Sequence, residues 1–535
     1  MDSVSPTCST ADMNTSLRAD LRFGTLPGLV VAAATRDPDG LAIDGDEPLT
    51  FSQLAEQVNE IAAGLVGIGI QRGDRVAIQA PNCTRWIVAA LAAHSAGAGL
   101  VPINTRYKGE ETADVVVRSG ARLLFTVRGF LGVDYWDQLR ATGVALPTGV
   151  DLGDEGGDGL LPFGALRGTR MLLPDVDPGS PSDILYTSGT TGLPKGVVCS
   201  HAQTLRVFGD WAAIAGLGPS DRYLVVPPFF HCFGYKAGWL ACLLTGATCL
   251  PQAVFDVPAV VDRLVRDRIT TLPGPPALYQ SLLDRADAVR AAPLRLAITG
   301  AAVVPVELIR RMHDELGFTT VLTAYGLTES CGVATMCRRG DAAEVVSATS
   351  GRAIPDVEVR VVNESGGPLP AGEVGEIQVR GYNIMAGYWG DAEATAATMV
   401  CSGQPGSGSV AGWLKTGDVG WLDEQGYLRI TDRLKDMFVV GGFKAFPAEI
   451  EAVLRRFPGV TDVAVVGMAH PRLGEVGRAF VVAAQEFDLD ALDGWAKERL
   501  ANFKVPRRYE RVEALPRNAS GKVLKRVLRQ WGNAG

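Results

Sequence analysis

Short apolar, β-branched runs alternate with longer stretches of helical spacing along most of the chain. Residues 49–80, LTFSQLAEQVNEIAAGLVGIGIQRGDRVAIQA, show the repeating unit. Thr50 stands at an N-cap position, apolar residues recur at helical spacing, and a turn around Gly73 leads into the strand RVAIQA. The unit returns in DILYTSG, RYLVVPP, TTLPGPP, LRLAITG and TVLTAYG, each strand ending in glycine, proline or a polar turn. Strands alternating with helices predict an α/β fold built of parallel units. In open sheets of this kind ligands collect beyond the carboxyl ends of the strands. WIVAALAAHSAGAGLV reads as a buried helix leading into a strand, since no apolar run approaches the roughly 20 residues of a membrane span.

The pattern changes after about Gly351. DVEVRVV, GEIQVRG and GYLRITDR read as short antiparallel strands separated by Gly, Pro and acidic turns. A second change falls near Lys435, where PAEIEAVLRRFPGVTDVAVVGMAH and RAFVVAAQ predict a small α+β unit, closed by the basic tail SGKVLKRVLRQ. The polar first twenty residues have no basic region followed by an apolar core, so no signal peptide is expected and disorder is. The expected organisation is therefore a disordered 1–20, a large domain over 21–434 and a small domain over 435–535. There are no internal repeats, and CSGQPGSGSVAG reads as a flexible loop rather than a linker.

Composition narrows the class. At 535 residues the chain has room for more than one core, and 47% hydrophobic with 21% charged residues is ordinary for a soluble protein. A net charge of -8 argues against a general nucleic-acid binder. Nine cysteines without a C-x-x-C pair suggest reduced thiols and a cytoplasmic setting. Five histidines without clustered spacing make a structural zinc site improbable.

The chemistry concentrates in a few strings. YTSGTTGLPKGV, residues 186–197, packs glycines, hydroxyls and Lys195 after an apolar run. Glycines let successive N–H groups converge on one anion, and a lysine adds a point charge suited to phosphate. The spacing is not that of the usual nucleotide P-loop, because Pro194, Lys195 and Gly196 stand where Gly-Lys-Ser/Thr belongs. TAYGLTES sets an aromatic, a hydroxyl and a carboxylate side by side; alone it is also a strand end with a helix cap. Asp418 in GWLKTGDVG sits in a glycine turn, where Asp is common for backbone reasons. DRLKDMFVVGGFKAFPAEIE holds Arg433 and Lys435, and PRNASGKVLKR holds Lys522; each taken alone is a charged loop.

As an ordered set these strings resemble the adenylate-forming superfamily of acyl-CoA and aryl-CoA ligases, peptide-synthetase adenylation domains and luciferases. The resemblance runs from about Phe51 to Arg526. It implies a large N-terminal domain, a mobile C-terminal domain, and an ATP-dependent acyl-CoA ligase that uses Mg²⁺ and passes through acyl-AMP. Thr187, Ser188, Gly189, Thr190, Thr191, Gly192 and Lys195 would wrap the β- and γ-phosphates. Gly300, Ala301 and Ala302 with Thr323, Ala324 and Tyr325 would form the adenine slot. The resemblance assigns Thr328 to the α-phosphate, Glu329 to Mg²⁺, and Asp418 with Arg433 to the ribose. Lys522 would bridge the carboxylate and the α-phosphate, and Lys435 would be the hinge about which the small domain swings. Gly441 and Gly442 would approach the pantetheine arm of CoA.

His231, within PPFFHCFGYKAGW, falls at the family position beside the carboxylate, although a core histidine is its plain alternative. Phe230, Phe233, Tyr235 and Trp239 read either as packed core or as the wall of a wide apolar pocket for a bulky acid, polycyclic or fatty. NTRYKGEE, FFHCFGYKAG and VVGGFKAFPAEIE look most similar to actinobacterial ligases for steroid- or terpenoid-derived acids. Lys444 departs from the usual family strings; it could recruit CoA phosphates, with a solvated lysine the plainer reading. Expected partners are a carboxylic acid, ATP and CoA, with a homodimer left open. The competing readings are a ligase that loads a carrier-protein thiol, an enzyme specialised for one half-reaction, and a non-catalytic sensor.

Overall fold

The computed structural model describes residues 18–169, 171–187, 194–300, 304–400, 412–433, 436–440, 443–471, 473–500, 502–518 and 521–531, with backbone alone at 432, 433, 443 and 444. The fold is mixed α/β in the large N-terminal part, with antiparallel sheet further along the chain. The helix Phe51–Gly67 starts on a capping box in which Thr50 accepts from Gln53 N and the Gln53 side chain accepts from Thr50 N. It presents Phe51, Leu54, Val58, Ile61 and Leu65 to the core, the helical spacing read from the sequence. Thr84–Ser95 is buried at every residue except Arg85, so it needs no polar face.

One sheet of eight strands runs in the order Gly387–Tyr388, Lys195–Ser200, Pro181–Thr187, Gly99–Pro102, Arg75–Gln79, Leu123–Thr126, Thr148–Asp151 and Leu160–Pro162. Its central pairs are parallel, and Pro181–Thr187 returns as an antiparallel hairpin through Lys195–Ser200. A second sheet joins Arg222–Val225, Thr248–Pro251, Leu41–Ile43 and Leu49–Thr50. A third joins Leu296–Thr299, Thr320–Tyr325, Thr335–Met336 and Arg352–Ala353. Thr271 bridges Tyr223 on one of these and Leu296 on the other, so they are continuous through one residue. The strand expected at TTLPGPP is thus a single bridged threonine. The three prolines that follow lack the N–H a ladder needs.

The antiparallel strands expected after Gly351 are present as Val357–Val362, Gly375–Gly381, Trp413–Leu422 and Leu428–Arg433. Near the C-terminus Val460–His470 pairs antiparallel with Gly474–Ala483, which pairs in parallel with Arg508–Val512. The helices Pro447–Leu454 and Leu489–Arg499 cover this sheet, and Phe438, Ile450, Leu454, Val465, Val481, Leu492 and Val505 form an apolar core separate from the main one. One expectation changes at the N-terminus. The helix Ala19–Phe23 begins inside the stretch expected to be disordered, because Ala19 is fully buried in the main core. Residues 1–17 and the loop 401–411 lie outside the described residues. Among the described residues no helix is long and apolar enough to cross a membrane, and the seven described cysteines are free.

Candidate active site

The two ends of the glycine-rich loop are pinned opposite each other, with Thr187 paired to Lys195 across the hairpin. Ser188, Gly189, Thr190, Thr191 and Gly192 lie outside the described residues. Identifiable contacts hold the stem. Arg118 donates to the Pro194 carbonyl at 2.7 Å, and its guanidinium lies 5.6 Å from the centre of the Tyr186 ring. A β-carbon at Gly196 would stand 2.8 Å from the Ile184 side chain and 3.0 Å from the Tyr186 ring, so a larger residue there would have to displace one of them.

Lys195 and Glu329 both contact Tyr388. The ammonium lies 5.1 Å from the ring centre, and the hydroxyl donates to Glu329 Oε1 at 2.9 Å. Burial, followed by the Glu329 carboxylate, raises the Tyr388 pKa, so the phenol stays a proton donor. Backbone bonds fix the arrangement: Met385 N donates to the Glu329 carbonyl at 2.9 Å, and Trp389 N to the Gly196 carbonyl at 2.7 Å. Nothing in the local sequence around Tyr388 marks it as a site residue beyond a glycine-tyrosine pair before a tryptophan, and its strand partner lies nearly two hundred residues earlier.

Thr328 and Glu329 ride on the short 3-10 turn Thr328–Ser330, which Ser330 closes by bonding its hydroxyl to both the N–H and the carbonyl of Leu327. The chain doubles back so tightly that a β-carbon at Gly326 would sit 2.3 Å from the Gly332 carbonyl oxygen. Tyr325, at the end of its strand, donates to Asp418 Oδ2 at 2.7 Å. Asp418 is 2% exposed and lies opposite Arg433 in the sheet register. Gly300 follows Leu296–Thr299, where a β-carbon would meet the Ala324 carbonyl oxygen at 2.9 Å. Thr323 is turned inward, its hydroxyl donating to the Val346 and Thr349 carbonyls at 3.1 and 3.0 Å. Ala301 and Ala302 lie outside the described residues.

His231 caps the short helix Cys232–Gly234, its Nδ1 accepting from Phe233 N at 3.2 Å. That bond places the neutral ring's proton on Nε2. His231 is exposed at the surface of the fold, and the protein packed around it lowers its pKa by desolvation. Phe230 and Phe233 flank it, half-buried. Tyr235 and Trp239, by contrast, are buried. They stack on each other with ring centres 4.9 Å apart, both pack on Trp86, and Tyr235 bonds His94 at 3.1 Å. For these two the structure favours core packing over a pocket wall, because the helix Thr84–Ser95 supplies the partner that the local sequence does not reveal.

Lys522 sits in a loop closed by Asn518, whose side chain accepts from Lys522 N at 2.8 Å and whose N donates to the Lys522 carbonyl at 2.9 Å. Gly521 takes φ +80°, and a β-carbon there would stand 3.9 Å from Pro275. Gly274 in turn donates to the Ile298 carbonyl, two residues before Gly300. The lysine loop therefore rests at the strand end that carries Gly300. Lys435, Gly441 and Gly442 lie outside the described residues, as do the side chains of Arg433 and Lys444.

The chain is similar to known proteins along most of its length. The AMP-binding enzyme family matches residues 30–389, and the AMP-binding enzyme C-terminal domain matches residues 449–522. A 3-[(3aS,4S,7aS)-7a-methyl-1,5-dioxo-octahydro-1H-inden-4-yl]propanoyl:CoA ligase of Rhodococcus jostii is 47% identical over 526 residues, covering 95% of this chain and 98% of its own. The Mycobacterium tuberculosis ligase of the same name is also 47% identical, covering 96% and 99%. The ATP-bound crystal structure of MatB from Rhodopseudomonas palustris superposes with a TM-score of 0.84 at 29% identity, covering 95% of this chain and 98% of that one.

Proposed function

The chain belongs to the AMP-binding enzyme family and is an ATP-dependent acyl-CoA ligase, and from that premise we propose that its acid is a fused-ring ketone bearing a propanoate arm. The observation that carries the substrate is the 47% identity, over nearly the whole length of both chains, to a ligase named for such an acid. The stretch around His231 supports it, because the half-buried Phe230 and Phe233 set apolar surface beside one exposed polar group, a combination that suits a compact ring system with a carboxylate. The test is a panel pairing the dioxo-octahydroindene propanoate with straight-chain fatty acids, scored separately for pyrophosphate exchange and CoA-thioester formation. The bicyclic acid is expected to have the higher kcat/KM in both assays. A higher value for a long-chain acid overturns the substrate assignment.

A carboxylate is a poor electrophile because its oxygen cannot leave. Attack of that oxygen on the α-phosphorus of ATP expels pyrophosphate and gives an acyl-AMP, from which a thiolate displaces AMP. In the proposed roles Lys195 and the loop after Thr187 hold the β- and γ-phosphates, and Thr328 holds the α-phosphate. Gly300 through Ala302 and Tyr325 take the adenine, Asp418 with Arg433 takes the ribose, and His231 Nε2–H orients the carboxylate. Glu329, which shares Tyr388 with Lys195, offers one hard oxygen donor, which with phosphate oxygens is a set that suits Mg²⁺. When bound, it would neutralise charge on the phosphate oxygens.

Residues 435–535 form, in this reading, a domain that turns about Lys435 between the half-reactions, bringing Gly441, Gly442 and Lys444 to the CoA channel. Its separate apolar core supports that division. Consumption of ATP and CoA, with free cysteines throughout the described residues, supports a cytoplasmic setting. Asp418→Ala is expected to weaken ATP and AMP alike, since both carry the ribose hydroxyls. Loss of a charge-assisted hydrogen bond corresponds to roughly ten- to a hundredfold in affinity. Calorimetric titration of both nucleotides checks it, and unchanged affinity for either removes the assignment.

A further inference from the structure

Five polar side chains, each 0% exposed, close a ring beneath the site: Ser182, Asp183, Thr204, Lys236 and Cys331. Lys236 Nζ lies 2.9 Å from Asp183 Oδ1, and Ser182 Oγ donates to Asp183 Oδ2 at 2.7 Å. Ser182 Oγ meets Thr204 Oγ1 at 3.2 Å, and Thr204 Oγ1 lies 3.8 Å from Cys331 Sγ. Lys236 completes the circuit by donating to that sulfur at 3.5 Å. The members come from four segments: the strand Pro181–Thr187 that leads into the phosphate loop, the helix His201–Ala215, the helix Tyr235–Leu240 behind His231, and the turn just after Glu329.

The ring is expensive to build and gives little stability in return. Taking an ammonium and a carboxylate out of water costs about as much as their attraction recovers, so a buried pair is weak evidence for stabilisation. Its placement suggests another use. Cys331 holds φ +54°, a left-handed conformation that side chains other than glycine adopt at a cost, and Glu329 stands two residues before it. Glu329 is tied on its other side, through Met385 N and the Tyr388 hydroxyl. The helix bearing Lys236 is wound with the wide π pitch and leaves helical geometry at Gly238, an irregularity frequent at functional sites.

We propose that the Lys236–Asp183 pair is a positioning device: by holding Cys331 it fixes the turn that carries Glu329 against the strand that carries the phosphate loop. The inference rests on Glu329 being the carboxylate that meets the metal-bound nucleotide. Lys236, Asp183 and Cys331 are positioning residues and touch no substrate.

Two variants at one position test it. Cys331→Ser and Cys331→Ala carry the same backbone strain, since both place an L side chain at the same φ, but only serine can accept from Lys236. Three quantities are read: calorimetric affinity for ATP with Mg²⁺, calorimetric affinity for AMP without metal, and Tm. Cys331→Ser is expected within twofold of the wild type in both affinities. Cys331→Ala is expected to weaken Mg²⁺-ATP by about tenfold, the usual cost of stranding a buried donor, with AMP affinity held within twofold. A folded Cys331→Ala with unchanged Mg²⁺-ATP affinity overturns the proposal, and so does an equal loss for AMP, which a general loosening of the core would produce. If Cys331→Ala does not fold, the neutral pair Asp183→Asn with Lys236→Gln is read by the same criteria. Failure of both to fold makes the ring a requirement of the fold and removes the positioning role. Wild-type protein that binds ATP equally well with and without Mg²⁺ instead refutes the reading of Glu329, a result distinct from any variant's behaviour.

Discussion

Lys522→Ala lowers acyl-AMP formation by roughly a hundred- to a thousandfold, the usual cost of removing one preorganised electrostatic donor from a transition state, while thioester formation from supplied acyl-AMP stays within a few fold of the wild type. The expectation comes from position as well as residue type. A lysine in an open tail would lose side-chain entropy on every turnover. Here Asn518 bonds Lys522 at both its N–H and its carbonyl, and Gly521 leans toward Pro275 at the strand end bearing Gly300. The backbone behind the ammonium is therefore set before substrate arrives. Negative charge grows between the carboxylate oxygen and the α-phosphate only in the first half-reaction, so only that half-reaction needs the cation. Pyrophosphate exchange and a CoA-thioester assay on preformed acyl-AMP measure the two halves separately. Equal losses in both would take the adenylation role away from Lys522.

The second large effect is on stability. Lys236→Met leaves the Asp183 carboxylate with no counter-charge in a 0% exposed site, which costs on the order of 3–5 kcal/mol. Adding Asp183→Leu to it removes the stranded charge and is expected to restore most of that loss, because an apolar pair of similar volume serves a buried site as well as an ion pair does. Denaturant unfolding of the two variants beside the wild type measures both. If Lys236→Met alone is as stable as the wild type, the two groups do not exist as an ion pair in the folded protein.

The elements that local pattern specifies were legible from residues alone. Thr50 and Gln53 announce the helix Phe51–Gly67, and the apolar run before Thr187 announces the strand that feeds the glycine-rich loop. Tyr325 and Asp418 were singled out from strings ninety residues apart, and the fold joins them in one hydrogen bond. What stayed hidden depends on partners distant in the chain. Tyr388 gains its meaning from a two-residue strand that pairs with Val197 and Val198. Lys236 looks like a stray charge in an aromatic stretch, since a π-wound segment departs from the 3.6 period by which an inward face is read. Tyr235 and Trp239 carry the same ambiguity, resolved by Trp86 from another helix.

The separate core around Phe438, Ile450, Val481 and Leu492 bears on how heat takes this chain apart. Its apolar residues close on one another rather than on the main core, so its melting withdraws little hydrophobic contact from the rest. If the two cores melt as two cooperative units, unfolding is no longer a single all-or-none event. The enthalpy absorbed in a calorimeter should exceed the enthalpy deduced from the steepness of the transition. A lone midpoint then reports the weaker unit, whichever that is, and says nothing of the other.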